Sequence, residues 1–460
     1  MRADHDLVVI GGGAAGLGAA RAAAASGART LLVSESEIGG ECTFTGCVPS
    51  KALIGAAARG ESFAAAMAAV RAAVTGIAAT ETAQTLAGEG IDVLRGRAVF
   101  TGSREIDVDG QVIRAPRFVI ATGSRPAVPP VPGLARAGYL TNESVFDLET
   151  LPGRLAVLGG GAIGCELAQA FTRLGSQVTL IEAGPRLLGT ADPAASEVIE
   201  RVLRAEGVAV RTGVAVTEVS VDHPGVTVRL ASGETAAADR LLVAAGRRPE
   251  PGQLGLAAAG VRVGERGNLV TDRHLATTAP GIYAAGDVTG RMPFTHAAHA
   301  MGRIAAGNAL RRAWAPVASF TPRAIPWVVF TDPEVAQVGL TEPEAATRPG
   351  TRVAFLPIGE SDRAITAGRA DGFVKIVAGP RPVLGGLAGG QVLGATIVAA
   401  RAGEMIHEPA LAMQAKLFTG RLAQAVHAYP TWSMAVQQTA AQFFGTFGGR
   451  TARPAGTGRP

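Results

Sequence analysis

The 460-residue sequence predicts an α/β protein built on two Rossmann-type dinucleotide-binding domains. Two observations carry this reading. A glycine-rich turn follows an apolar strand near the N-terminus, and the same pattern returns 148 residues later. Three further apolar runs, "FVIATGSRP", "LLVAAGRRP" and "GIYAAGDVTG", stop on glycine or aspartate, as strands do where a ligand sits at their ends.

The first copy is "DLVVIGGGAAGLGAARAAAASGARTLLVSE". Leu7 to Ile10 lead into Gly11, Gly13 and Gly16, an alanine-rich helical run follows, and a second strand comes after Gly27. The glycines permit a tight turn, close approach of backbone to a pyrophosphate, and close helix–strand packing. The following helix offers N–H groups and a partial positive charge to the phosphates. The second copy, "RLAVLGGGAIGCELAQAFTRLGSQVTLIE", repeats this with Gly159, Gly161 and Gly164. Gly27 and Gly175 also lie 148 residues apart, so strand, turn and helix are in register. One such motif is weak evidence, whereas two in register, each between a strand and a helix, predict two dinucleotide sites.

The residue closing the second strand of each unit reads the ribose. In the second copy it is Glu182, whose carboxylate accepts from a 2′-hydroxyl and repels a 2′-phosphate. That favours NADH, with NADPH left open by the nearby Arg186. In the first copy the same offset lands on Ser34, with Glu35 next, and either residue fills the role. Asp287 follows another apolar strand, where it bonds a sugar or ribityl hydroxyl or forms a turn.

The composition excludes several classes. No run reaches the ~18 uninterrupted apolar residues of a membrane span, and the N-terminus enters a strand without the pattern of a secretory signal. A cytoplasmic protein is expected. The net charge of +5 comes with only three lysines, Lys51, Lys375 and Lys416, among 43 basic residues. The arginines are scattered, which argues against nucleic acid as a partner.

Two of the three cysteines fall in "GGECTFTGCVPSK". A regular helix would put Cys42 and Cys47 about 7.5 Å apart along its axis and on different faces, whereas a disulfide wants Cα atoms about 4.4–6.8 Å apart. The pair bridges only if Gly46 or its neighbours distort the helix start, and Pro49 keeps the residues before it out of regular helix. A disulfide held this way is reducible, which suits chemistry rather than scaffolding. A metal site needs two more ligands; Cys165 lies inside the second glycine motif as a small packing residue, and no metal is expected.

With these segments, the chain resembles the FAD-dependent pyridine nucleotide–disulfide oxidoreductases of class I, which include glutathione reductases, dihydrolipoamide dehydrogenases and mercuric reductases. "GGECTFTGCVPSK" matches the redox-active disulfide segment, "ATGSRP" and "GIYAAGD" the FAD segments, and "GGGAIGCE" the nicotinamide segment. "IPWVVFTDPEVAQVGLTE" matches the start of a C-terminal α+β dimerisation domain, and the likeness runs from residue 5 to about 446. The resemblance implies FAD on the first glycine unit and NAD(P)H on the second. It makes Cys47 the charge-transfer thiolate beside the flavin and Cys42 the interchange thiol. It puts Lys51 near flavin N5, paired with Glu166, and Asp287 on the ribityl chain. Gly40, Glu41, Ala98, Thr122, Gly123, Ser124, Gly246 and Arg247 join the cofactor contacts. It implies a homodimer with an active site shared between subunits and a small-molecule substrate.

The C-terminal segment departs from part of that family. Dihydrolipoamide dehydrogenases and glutathione reductases carry His-Pro-Thr with a Glu three residues on, the His serving as acid–base. Here "HAYPTWSM" puts Tyr429 and Met434 at those positions, with His427 two residues earlier as a catalytic or a structural His. Mercuric reductases also have a Tyr in this region, yet the chain ends without their paired C-terminal cysteines and has no N-terminal metal-binding module. Ala162 stands where glutathione reductases have a gating Tyr.

The expected organisation is an FAD-binding domain over 1–150 with a return segment over 273–320, an NAD(P)H domain over 151–272, a dimerisation domain over 321–446 and a flexible tail over 447–460. The expected function is an FAD-dependent NAD(P)H oxidoreductase passing electrons through Cys42–Cys47 to a disulfide, soft-metal or related acceptor. The alternatives are a quinone or dye reductase with secondary thiols, and a non-enzymatic redox-sensing flavoprotein.

Overall fold

Four buried apolar residues, Leu7–Ile10, make strand β1, and the glycine turn behind them feeds helix α1, Ala14–Ala25. Strand β2, Thr30–Ser34, returns parallel to β1, with Leu7 opposite Thr30 and Ile10 opposite Val33. Both strands are buried along their whole length, as in a parallel sheet covered on two faces. Helix α2, Gly40–Phe44, helix α3, Cys47–Ala58, and strand β3, Ile91–Arg95, follow. The sheet runs Ile282–Ala284, Phe118–Ile120, β1, β2, β3, all parallel.

The alanine-rich composition of α1 is a packing requirement. The helix lies so close to Thr295–Ala309 that a Cβ at Gly302 would stand 2.0 Å from the Ala15 carbonyl oxygen, and one at Gly18 2.5 Å from that of His299. A three-stranded antiparallel meander, residues 98–114, packs Phe100 edge-on against Phe118 with centroids 5.1 Å apart. Ser124–Pro126 and Arg247–Pro249, which follow Gly123 and Gly246 in the two G-x-R-P segments, pair antiparallel with each other.

The computed structural model describes residues 4–222, 225–381 and 385–457. The chain falls into two units: Met1–Pro130 with Leu140–Thr150 and Val243–Pro322, and Val131–Tyr139 with Leu151–Leu242 and Arg323–Pro460. The sequence boundaries therefore shift. The return to the first unit comes at 243 rather than 273, because Leu254, Ala259, Val261 and Leu269 sit in that unit's core with Val8, Phe100 and Phe118.

The second unit holds a four-stranded sheet in the order Ala209–Arg211, Gln177–Ile181, Arg154–Leu158, Arg240–Val243, with its first three strands parallel. An antiparallel three-stranded sheet over residues 216–238 accompanies it. The C-terminal part is a six-stranded antiparallel sheet, ordered Trp327–Val329, Glu334–Gly339, Gln391–Ala399, Phe373–Gly379, Arg352–Pro357, Arg453–Pro454. Helices over residues 402–441 bury Met405, Ile406, Met413 and Val436 against it. A lysine is buried here too: Lys375 Nζ lies 2.8 Å from both Asp192 and Glu342, and Asp192 caps the helix Pro193–Ala205.

The expected flexible tail is tied down as far as it is described. Arg453–Pro454 pair with Arg352–Val353, and Arg453 reaches Glu342 at 2.5 Å. An edge strand with unpaired N–H and C=O groups takes up a passing segment, and Ala452 is buried by doing so. Residues 458–460 of that expectation lie outside the described residues.

Among the described residues one stretch, Phe63–Gly88, has the length and apolar composition of a membrane span. It is two helices, Phe63–Ala78 and Ala83–Gly88, separated by a turn. Its hydropathy comes largely from alanine, and Ala66, Met67, Val70 and Leu86 are turned into the protein.

Candidate active site

The two glycine turns are geometric copies. Gly11 has φ +112° and Gly159 φ +114°, a region open to glycine. A Cβ at Gly16 would stand 1.8 Å from the Gly11 carbonyl oxygen, and one at Gly164 1.8 Å from that of Gly159. The caps Gly13 and Gly161 place no side chain over the helix starts. The first N–H groups of α1 and of Ala162–Arg173 thus face the turn, where an anion completes them. The residues present fit a dinucleotide pyrophosphate in each unit.

At the second turn, Glu182 accepts from the N–H groups of Gly160 and Gly184, each at 2.6 Å. These bonds fix its carboxylate beside the glycine loop. Arg186 is committed elsewhere: Nη1 donates to Ala191 O at 3.0 Å and Ser196 Oγ at 2.7 Å, and Nη2 to Gly189 O at 2.7 Å. Ser34 keeps the register of Glu182 in the first unit; it is buried and donates to Ser36 O at 2.8 Å, while Glu35 is exposed. Cys165 is fully buried, its thiol donates to Gly160 O at 3.3 Å, and burial pushes its pKa up. It is a packing residue.

The thiols sit where the chain breaks. α2 ends at Phe44, and Gly46 carries the chain back over it: a Cβ there would stand 2.9 Å from Glu41 O and 3.3 Å from Cys42 Cα. α3 then starts on Cys47. Pro49 does not act as the sequence suggests. It lies in the first turn of α3, where a missing N–H costs no intrahelical bond, and the break belongs to Thr45 and Gly46.

The two sulfurs are hydrogen-bonded to each other, which with burial raises the Cys42 thiol's pKa. Cys47 Sγ also meets Thr295 Oγ1 at 3.2 Å, at the start of the helix Thr295–Ala309. Thr295 is a site residue that sequence reading missed; its only local signal is its place after "GDVTGRMPF". Lys51 lies one turn along α3 from Cys47 and donates to Ser50 Oγ at 3.3 Å. Among the described residues no three His, Cys, Asp or Glu side chains converge as for a metal.

Several expected cofactor residues form one network. Arg247 donates to both carboxylate oxygens of Glu41, to Ser124 Oγ at 2.8 Å and to Ser124 O at 2.9 Å. Ser124 Oγ donates to Asp287 Oδ2 at 2.6 Å. Thr122 donates to Glu250 O at 2.6 Å, which fixes the loop at Gly123, and Gly246 turns with φ +117° into Arg247. Gly40 packs its Cα against Gly13, where a Cβ would stand 2.7 Å away. Ala98 opens the meander with its side chain buried.

In the second unit Glu166 is buried on Ala162–Arg173 and accepts from the Phe330 N–H at 2.8 Å. His427 Nδ1 faces Ala425 O at 2.9 Å, and Nε2 faces the Glu408 oxygens at 3.1 and 3.2 Å. Both partners accept, an arrangement that favours the doubly protonated ring, in which both nitrogens donate. Burial pulls its pKa down, but Glu408 and the Ala425 carbonyl outweigh this and the net shift is upward. Tyr429 is exposed, its pKa raised by a hydrogen bond to Asp362. Met434 begins the helix Met434–Ala441.

Known proteins share this arrangement. Residues 5–302 match the pyridine nucleotide-disulphide oxidoreductase family, and residues 325–440 match that family's dimerisation domain. The chain is 37% identical to a dihydrolipoyl dehydrogenase of Thermus scotoductus, over 95% of this chain and 96% of the relative. It is also 37% identical to a mercuric reductase of Streptomyces lividans, with the same coverage. The HOCl-induced flavoprotein disulfide reductase RclA of Escherichia coli superposes with a TM-score of 0.87 at 31% identity, over 95% of this chain and 99% of that one. LpdA of Mycobacterium tuberculosis gives 0.86 at 30% identity over the same shares. The chain belongs to the pyridine nucleotide-disulphide oxidoreductases: homodimeric enzymes that bind FAD, oxidise NAD(P)H and pass the electrons through a redox-active cysteine pair.

Proposed function

We propose that this protein is an NADH-preferring oxidoreductase whose Cys42–Cys47 pair delivers electrons to a thiophilic metal ion, Hg(II) being the representative acceptor. The observation that carries the choice of acceptor is the segment His427–Met434. Tyr429 stands where disulfide-reducing relatives have their acid–base His, and both ring nitrogens of His427 are engaged, by the Ala425 carbonyl and by Glu408. Thiol–disulfide exchange needs a group that takes and returns protons near neutral pH, worth roughly 100- to 10,000-fold. A phenol with a reference pKa of about 10, raised further here, does not supply it. A soft metal ion binds thiolate directly and needs no such base.

The chain's residues divide the work. The turns at Gly11–Gly16 and Gly159–Gly164 hold the two pyrophosphates, and Glu182 takes the nicotinamide nucleotide's 2′-hydroxyl. Ser34 would hold the FAD adenosine ribose and Asp287 the ribityl chain, and Lys51 would supply a fixed positive charge to the isoalloxazine. FAD, when bound, relays two electrons between nicotinamide and the cysteines. In balance, the nicotinamide gives up two electrons and one proton, the S–S bond breaks, Cys42 keeps the proton and Cys47 is left as thiolate. An acceptor ion bound to sulfur then takes two electrons and leaves as the neutral metal, the proton is released and the S–S bond reforms. In the dimer the exposed turn bearing Val426 and Tyr429 reaches the partner's thiols, a reading supported by its 97% and 69% exposure in the single chain.

Steady-state oxidation of NADH by the pure enzyme tests this against Hg(II)–thiol complexes, a quinone, lipoamide and glutathione disulfide. Hg(II) turnover exceeds disulfide turnover by at least tenfold, and Tyr429→His with Met434→Glu raises disulfide turnover. Wild-type lipoamide reduction at or above the Hg(II) rate overturns the acceptor assignment.

A further inference from the structure

The residue immediately before the interchange thiol is unusually well held. Glu41 sits in α2, a helix of five residues that opens on Gly40 behind the cap Gly39, both at positive φ, and ends at the break at Thr45 and Gly46. So short a helix has little stability of its own. Arg247 grips the Glu41 carboxylate with both terminal nitrogens, Nη1 at 2.5 Å from Oε1. The buried Asn142 donates from one Nδ2 to Glu41 Oε1 at 2.7 Å and to Thr45 O at 3.2 Å, tying the residue before Cys42 to one in the segment between the cysteines. Arg247 is itself anchored on Ser124 and stands 3.6 Å from Asp287. A bidentate guanidinium–carboxylate pair fixes orientation as well as distance.

We propose that Glu41, Arg247 and Asn142 form a clamp that holds Cys42 against Cys47 while the disulfide is open, and so sets the reduction potential of the pair. With the S–S bond intact, the bond itself keeps the sulfurs together. Once it breaks, only the attachment of α2 determines how often Cys42 returns to Cys47. Closure depends on the effective concentration of one thiol at the other, as for any tethered pair. Loosening α2 lowers that concentration, disfavours the disulfide and makes the couple more oxidising. The clamp residues act through Cys42 and are positioning residues. The sequence reading counts Glu41 and Arg247 among the cofactor contacts; the clamp gives them a separate role.

The proposal rests on Cys42–Cys47 being the redox pair but not on the identity of the acceptor. The test equilibrates FAD-loaded wild type, Glu41→Gln and Asn142→Ala in dithiothreitol redox buffers, alkylates the free thiols and measures the disulfide fraction by mass spectrometry. Glu41→Gln is expected to lower the equilibrium constant for disulfide formation about tenfold, a rise of about 30 mV for a two-electron couple. Asn142→Ala, which leaves the ion pair in place, shifts it in the same direction by less. If Glu41→Gln does not retain FAD, Asn142→Ala alone reads the same quantity, and an unshifted constant there overturns the clamp. A purely stabilising role lowers the melting temperature of both variants and leaves the thiol–disulfide constant within twofold of wild type; that result also overturns it. Should wild type show no reducible bond between Cys42 and Cys47, the redox-pair reading fails instead.

Discussion

Glu182→Ala tests how this chain chooses its nicotinamide nucleotide. The substitution removes the carboxylate that follows the strand Gln177–Ile181 and leaves the Gly160 and Gly184 N–H groups without their 2.6 Å partner. A charge-assisted hydrogen bond to a hydroxyl contributes about 1.5–3 kcal/mol. At about 1.4 kcal/mol per tenfold, kcat/KM for NADH falls roughly 10- to 150-fold. NADPH gains from the lost repulsion, but no cation is freed to meet a 2′-phosphate, because Arg186 remains bonded to Gly189 O, Ala191 O and Ser196 Oγ. The preference therefore narrows because NADH loses, and NADPH rises by no more than a few fold. Initial rates at varied NADH and NADPH, at fixed acceptor and ionic strength, measure both constants. A variant that uses NADPH as well as wild type uses NADH would refute the reasoning about Arg186, and a wild type that prefers NADPH would refute the role of Glu182.

Lys375→Met should destabilise the protein by about 3–5 kcal/mol, because it leaves Asp192 and Glu342 facing each other in a buried site without their shared ammonium. Adding Asp192→Asn should cost less than the sum of the singles, as denaturant titration at fixed protein concentration would show. The pair His427–Glu408 gives a pH signature: since the folded pKa of His427 is raised, the pair's contribution is fully present below the unfolded value of about 6.5. It is lost as pH rises through the folded value. Melting curves from pH 5.5 to 9 should therefore show the gap between wild type and Glu408→Gln closing at the alkaline end, and a gap that widens there contradicts the upward shift of His427.

The parts of the site that sequence reading recovers are those whose requirements are local. Gly16 and Gly164 are demanded by the carbonyls of Gly11 and Gly159, five residues earlier, and Gly11 and Gly159 by their own positive φ, so two short strings suffice to reveal both turns. The break at Gly46 is of the same kind, since its crowding comes from Glu41 and Cys42. Thr295 and Arg247 lie 248 and 206 residues from the partners they meet, Cys47 and Glu41, and no periodicity reports such pairs. Arg186 looks available for a phosphate in sequence because the loop carbonyls that consume it carry no side-chain signal. His427 is ambiguous for the same reason: its partner Glu408 lies 19 residues away on the helix His407–Gln414. The tail is misread because Gly, Pro and Arg suggest disorder, while an open sheet edge accepts almost any extended segment.

Anaerobic titration with NADH, followed by rapid alkylation, tests the central claim most directly. One equivalent of NADH should bleach the oxidised flavin only transiently. It should produce a long-wavelength charge-transfer band and render the Cys42–Cys47 pair alkylatable. Cys47→Ser should abolish the band, and Cys42→Ser should show it without NADH. Flavin that stays reduced after one equivalent, with no new alkylatable thiol at Cys42 or Cys47, would contradict the account.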